Sequence, residues 1–409
     1  MFYPQMGWMP GFHPRDPIGA EPPCRSTWGP ALRIFSTFIV IWLACASFAQ
    51  AATDRQEHLR ETFRGAFARY NRVEGFFAAY QLKLSPKQWD GLSMFVQTGY
   101  GIQSESMRWA TGLEWTQKKY GFKLTVFDRT ATFDDLIIRT PENSLFAILY
   151  KGDYRDYFHA KNGFELITSY LVKPRTHLWG SLSAFGYESM PVVTHWSLFR
   201  KNSTFRDNPP IVPGKIGILE LGIRYDGRRR VPRFLNSWYL FATLERGFRE
   251  FAYNGLQMGF TRHQKTVWGN QAFIVQGRLA ARSHTSEQFL FDLGGLGTLR
   301  GYDIKEFSGN RMLMASIDYL FRGDIFRRIP IPAAHLFHVI LFADTGWTQT
   351  VPRSRSLVDG FQNANPTNFK TDIGIALAIT ERLVRLNIAR RLDRSFDYLT
   401  VSARIFREF

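Results

Sequence analysis

Arg300, Asp318 and Asp344 are the residues whose types and spacing could do specific chemistry. A guanidinium offers five donors in a rigid fork, and two carboxylates can accept from it together. That is the chemistry of a fixed ion pair rather than of bond making. Arg300 is the basic residue of the stretch 291–302, FDLGGLGTLRGY, in which four of twelve residues are glycine. So many glycines do not suit the interior of a regular element. They suit a loop folded back on itself, and the segment 284–309 is longer than a hairpin connection needs. Asp318 and Asp344 each lie in an alternating run. Leu313, Ala315, Ile317 and Tyr319 take one face of the first, and Phe337, Val339, Leu341 and Ala343 take one face of the second. If those apolar faces meet lipid, both carboxylates point into a lumen from neighbouring strands, where an arginine on an infolded loop can bind both. Three independent lumen-facing charges would fit the same pattern.

The elements that must position these residues are strands. Period-two alternation dominates from Gly75 onward. In 215–226, Leu219, Leu221, Ile223 and Tyr225 oppose Glu220, Arg224 and Asp226; in 382–391, Val384, Leu386 and Ile388 oppose Arg385, Asn387 and Arg391. A soluble sandwich would turn the apolar face inward, whereas a membrane barrel turns it to lipid. The expected strands are 75–84, 92–102, 104–116, 119–128, 143–152, 162–173, 177–188, 215–226, 236–247, 252–263, 271–283, 310–321, 336–347, 370–380, 382–391 and 397–409, sixteen in all. An even number returns both ends of a closed antiparallel barrel to one side. The segments 189–214 and 348–369 read as longer extracellular loops. Phe409 closes the last strand as an outer-membrane recognition residue, with Leu399, Val401 and Ile405 on its face.

Composition agrees. Of 409 residues, 45% are hydrophobic and 16% aromatic, with 37 Phe. No segment after residue 51 has the ~18 consecutive apolar residues of a spanning helix. The net charge of +17 reflects arginines scattered singly, which fits a basic lumen or lipid headgroups better than nucleic acid. Residues 1–51 read as leader and signal peptide: Arg33, an apolar core at 34–48, then Ala49-Gln50-Ala51 with cleavage before Ala52. A lipoprotein signal ending at Cys45 is disfavoured by Trp42. Both cysteines, Cys24 and Cys45, fall in this part, so the mature chain offers no disulfide or cysteine metal site. Residues 52–74 form a helical segment, because Leu59, Phe63 and Phe67 recur every four residues in 54–70; it would pack on the rim, plug the lumen or lie on lipid. The barrel domain then covers 75–409.

Further residues resemble a known family. Leu299-Arg300-Gly301-Tyr302, preceded by Gly294-Gly295, is similar to the signature of the BamA/TamA superfamily of outer-membrane proteins, the bacterial surface antigen barrel. Phe342-Ala343-Asp344-Thr345-Gly346 resembles its F-x-D-x-G strand, Ser316-Ile317-Asp318-Tyr319 its acidic preceding strand, and Tyr225-Asp226-Gly227-Arg228 its Y-D-x-R segment. Residues 70–75, YNRVEG, resemble the lead-in to the first strand in members without POTRA domains, and 52–74 leaves no room for such a domain. The resemblance implies that the loop arginine bonds the inward acids. It also implies a role in inserting or translocating proteins, or lipids, at the bacterial outer membrane. The implied partners are outer-membrane lipid, an unfolded polypeptide client and the insertion machinery that assembles the barrel itself. Lateral opening between 75–84 and 397–409 would expose edges able to template a client strand.

Other chemistries find little support. The stretch 295–301 lacks the G-K-[ST] ending of a phosphate loop. No G-x-S-x-G or H-E-x-x-H occurs, and the nine histidines are scattered. The expectation is an all-β, transmembrane antiparallel barrel with no catalytic site, metal, cofactor or nucleic-acid partner. A passive diffusion pore is the alternative, and a barrel-based surface hydrolase a third.

Overall fold

Strands with exposed apolar and buried polar residues give this chain its architecture. In the strand Val384–Arg391, Leu386 is 44% exposed while its neighbour Arg385 is 2% exposed. That inverts the order of a water-soluble sheet and places lipid outside and a polar lumen inside. The structure is a computed structural model. It describes residues 62–86, 89–134, 137–228, 236–267, 271–323, 336–353, 355–379, 384–393 and 399–405. Residues 1–51, expected as leader and signal peptide, and Phe409 lie outside the described residues.

The strands are β1 (Thr62–Asn71), β2 (Gly75–Leu84), β3 (Leu92–Gly101), β4 (Ser106–Thr116), β5 (Tyr120–Ala131), β6 (Phe158–Lys173), β7 (Thr176–Ser189), β8 (Gly214–Asp226), β9 (Ser237–Arg249), β10 (Tyr253–Lys265), β11 (Ala272–Arg282), β12 (Phe291–Leu293), β13 (Phe307–Gly309), β14 (Arg311–Phe321), β15 (Phe337–Gln349), β16 (Lys370–Ile379), β17 (Val384–Arg391) and β18 (Leu399–Ile405). One helix, α1 (Thr140–Tyr150), lies between β5 and β6. All strands but β12 and β13 form one 16-stranded antiparallel sheet in chain order; those two pair with each other inside the β11–β14 connection. The connections 72–74, 132–157, 190–213, 283–310 and 350–369 therefore share one rim. The opposite rim carries 85–91, 117–119 and 174–175. This is a transmembrane β-barrel wall of 16 strands.

Two expected elements are corrected, and their errors cancel in the strand count. Residues 62–71, expected within a helix over 54–70, are β1, paired with β2 from Thr62↔Leu84 to Asn71↔Gly75. A repeat of four is a multiple of two, so Phe63 and Phe67 also share one face of a strand. The sheet thus starts at 62 rather than 75, and YNRVEG is the turn into its second strand. Asn71 Oδ1 accepts from the backbone N–H of Val73 and Glu74 there, and Gly75 takes φ +67°. The rest of the expected helix, 54–61, lies outside the described residues. Residues 143–152, expected as a strand, fall largely in α1. Its run Leu145–Leu149 is continuously apolar and carries no alternation, a pattern that fits a helix equally well. Pro141 suits a first turn, and Lys151 in the left-handed region ends the helix, with its N–H donating to Ala147 O. β5 passes directly to β6 in the ladder.

Inside the wall, Phe95, Phe127, Phe158, Tyr187, Phe251 and Phe289 make an aromatic core on the rim side of β3–β10. Ala280, Leu293, Leu299, Tyr302, Met312 and Met314 seat the infolded loop against β11 and β14.

Candidate functional site: the lumen arginine and the seam of the wall

The loop 283–310 folds inward because its backbone turns tightly. Gly294 has φ +120°, and a Cβ there would lie 2.2 Å from the Asp303 carbonyl. Thr298 Oγ accepts from the Gly294 N–H, and the Leu299 carbonyl accepts from the Gly295 N–H. This turn presents Arg300, which is 7% exposed. Arg300 Nε donates to Asp344 Oδ2 at 2.6 Å, and Nη2 donates to Asp344 Oδ1 at 2.6 Å. Nη2 also reaches Asp318 Oδ1 at 2.9 Å and Ser316 Oγ at 3.1 Å. The structure thus brings Arg300, Asp318 and Asp344 into one contact set.

Sequence reasoning missed four neighbours. Arg385 on β17 donates to Asp318 Oδ2 at 2.8 Å, so two guanidiniums share that acid. Phe342 lies beneath both, 3.8 Å from the Arg300 guanidinium carbon and 5.5 Å from that of Arg385, within cation–π range. Ser316 bonds Asp344 Oδ1. Asp372 sits directly opposite Asp344 in the ladder and is fully buried, and among the described residues neither of its oxygens meets a donor in good hydrogen-bond geometry. Inward parity of Arg385 and Asp372 was readable; their arrival at one point needed the register.

The rest of the motif packs the loop on the far wall. A Cβ on Gly301 would lie 2.8 Å from Asp372 Cβ, so only glycine fits there. Thr400 Oγ1 on β18 donates to the Gly301 carbonyl at 3.0 Å, and Tyr302 OH donates to the Thr371 carbonyl at 3.1 Å. Leu299 is completely buried. A second contact set lies nearer the rim. Lys305 Nζ meets Asp134 at 2.9 Å, Asp156 at 2.7 Å and Asp292 at 3.2 Å. Burial alone would raise the Asp156 pKa, but Arg206, Lys305 and Arg72 outweigh it and hold the carboxyl below its ordinary value. A cavity of about 1350 Å³ remains between the loop and the β8–β11 wall, lined in part by Glu220, Arg224, Tyr239 and Arg278.

The wall has a seam. Among the described residues no ladder joins β1 to β18. α1 bonds to both strands instead. The Tyr70 N–H of β1 donates to Ser144 Oγ at 3.1 Å, and the Ile405 N–H of β18 donates to Glu142 Oε1 at 2.7 Å. Arg404 Nε also meets Glu142, at 3.2 Å. Ala147 shares a buried cluster with Tyr70 and Phe205, while Phe146 belongs to a cluster with Leu296 of the loop and with Ala403 and Ile405. The seam therefore lies between 62–71 and 399–405, rather than between 75–84 and 397–409.

No family model matches the chain, and no curated protein matches it. Among solved structures, BamA from Haemophilus ducreyi lacking POTRA domains 1–3 matches with a TM-score of 0.54 at 12% identity, over 84% of this chain and 69% of that one. CdiB from Acinetobacter baumannii and CdiB from Escherichia coli each match at 13% identity with a TM-score of 0.44 over 84% of this chain, which spans 59% and 61% of their lengths. At such identities the likeness is one of fold. The BamA match, taken with the inverted burial and the infolded loop, identifies this chain as a β-barrel of BamA-like fold.

Proposed function

We propose that this barrel resides in the bacterial outer membrane and assists the insertion or translocation of polypeptides there. The observation that carries the reading is the seam. β1 and β18 are edge strands whose N–H groups at Tyr70 and Ile405 are bonded by α1 instead of by each other. Displacement of α1 frees backbone donors on both edges, and an extended client segment can add to such an edge strand by strand. Arg300, with Asp318 and Asp344, anchors the loop that shapes the lumen beside the seam. Gly294, Gly295 and Gly301 allow its turn, and Leu299 and Tyr302 pack it. The partners are outer-membrane lipid and an unfolded polypeptide.

A diffusion pore is the second reading, favoured by the cavity along β8–β11. Reconstitution separates the two. Low or erratic single-channel conductance together with accelerated barrel insertion into liposomes is the expected result. A large, steady, anion-preferring conductance without acceleration would establish the pore.

A further inference from the structure

Tyr70 and Phe76 sit opposite each other in the first hairpin. They therefore share a side of the wall, and Phe76, 43% exposed, marks it as the lipid side. Tyr70 is nonetheless only 2% exposed. The β7–β8 connection covers it together with α1: Trp196 lies edge-on at 5.9 Å and Phe205 at 6.4 Å, and Ala147 joins the same buried cluster. Tyr70 OH donates to the Trp196 carbonyl at 2.7 Å. This connection thus folds over the lipid-facing side of the wall at the seam.

Its tip is held rigidly. The Leu198 and Phe199 N–H groups donate to the Ile148 and Leu149 carbonyls of α1 at 2.8 and 3.0 Å. Lys151 Nζ donates to the Arg200 and Ser203 carbonyls. So fixed, the tip leaves Trp196 55%, Leu198 42% and Phe199 64% exposed. Arg200 and Lys201 follow immediately, both exposed, and neither side chain has an acidic partner among the described residues. Water would not select three apolar side chains held outward. Aromatic residues beside free cations match the boundary of a bilayer, where rings enter the acyl layer and cations meet phosphate.

We propose that 196–201 is a lipid-docking site. Trp196, Leu198 and Phe199 enter the acyl layer beside the seam, and Arg200 and Lys201 bind the phosphate of an anionic lipid headgroup. The proposal rests on the barrel spanning a membrane and is independent of any insertion activity. The occupant is bilayer lipid because the tip continues the lipid-facing surface of Phe76, and because its charge is uncompensated.

The test uses the full chain with Cys24 and Cys45 replaced by serine, folded in nanodiscs. A polarity-sensitive label is placed at Phe199→Cys or, as the control, at Val358→Cys, an exposed loop residue on the same rim. At 199 the label emits as in an apolar medium and is quenched by acyl-brominated lipid; at 358 it does neither. Brominated phosphatidylglycerol quenches the 199 label at roughly 25-fold lower mole fraction than brominated phosphatidylcholine, given about a fivefold gain for each of the two surface cations. Arg200→Ser with Lys201→Ser abolishes that difference without altering the fold. Emission at 199 as aqueous as at 358 would overturn the proposal. So would apolar emission that neither lipid quenches, which would mean a protein covers the tip. Equal quenching by both lipids would overturn the headgroup assignment.

Discussion

Arg404, on the last strand, donates to Glu142 at 3.2 Å across 262 residues of chain. The same Glu142 oxygen accepts the Ile405 N–H. One carboxylate on a loop helix thus neutralises the buried cation of an edge strand and satisfies its backbone. Removing one partner of such a buried pair costs about 3–5 kcal/mol, because the other charge is left uncompensated. Glu142→Ala therefore loosens β18 and α1 together, raising hydrogen exchange across 399–405 and 140–150 while β6–β11 stays protected. Unchanged exchange at 399–405 would show that α1 does not hold the seam.

Arg300 differs in the number of contacts it makes. Arg300→Ala strips a charge from Asp344 and removes one of the guanidiniums that Asp318 bonds. Arg300→Lys restores the charge but not the fork that spans Asp344. Both variants are expected to expose 294–305 to protease, alanine more than lysine, and to lower activity. Altering Asp344 in the Arg300→Ala background returns part of the protection. If Arg300→Ala leaves protection and activity unchanged, the loop is not anchored there.

Asp372 carries the opposite expectation. It is buried opposite Asp344, and among the described residues neither oxygen meets a donor in good hydrogen-bond geometry, so a negative charge held there costs stability rather than adding to it. Asp372→Asn keeps the shape and removes the charge. The variant unfolds at higher denaturant concentration, by an amount of order 1–3 kcal/mol if the unsatisfied group bears its full desolvation cost. A large loss of stability would mean that Asp372 has a partner the described residues lack.

The rim contact of Lys305 sets a pH dependence. Asp156 has its pKa lowered in the folded chain. Its contribution is therefore complete above the ordinary carboxylate value of about 4 and is lost as pH falls through the depressed value. The Asp156 share of the protection of 303–306 should hold from pH 8 to about 4 and fail only in stronger acid, whereas the Asp292 contact, whose carboxyl burial pushes above its ordinary value, weakens first as pH falls. Lys305→Met removes the protection at every pH. Complete loss of protection between pH 7 and 5 in the unaltered chain would contradict this.

Much of this was legible in the sequence because a strand period of two fixes which side each residue faces once lipid is placed outside. Asp318, Asp344, Arg385 and Asp372 all follow from that parity. Two elements were not legible. Phe63 and Phe67, four apart, satisfy both periods, and only pairing with β2 decides between them. The run Leu145–Leu149 has no period at all, and its helical state follows from α1 standing between β1 and β18. The neighbours of Arg300 depend on ladder register, which alternation does not encode.

The seam is the centre of this account, and locking it tests the account most directly. Tyr70 and Ala147 share one buried cluster, so Tyr70→Cys with Ala147→Cys, in a chain lacking Cys24 and Cys45, can tie α1 to β1 through a short thiol cross-linker. The measurement is the rate at which an unfolded outer-membrane barrel inserts into liposomes containing this protein. The account predicts acceleration by the reduced pair, a fall to the rate of bare liposomes on locking, and recovery on reduction. Equal acceleration by the locked and reduced forms, or none by either, would contradict it.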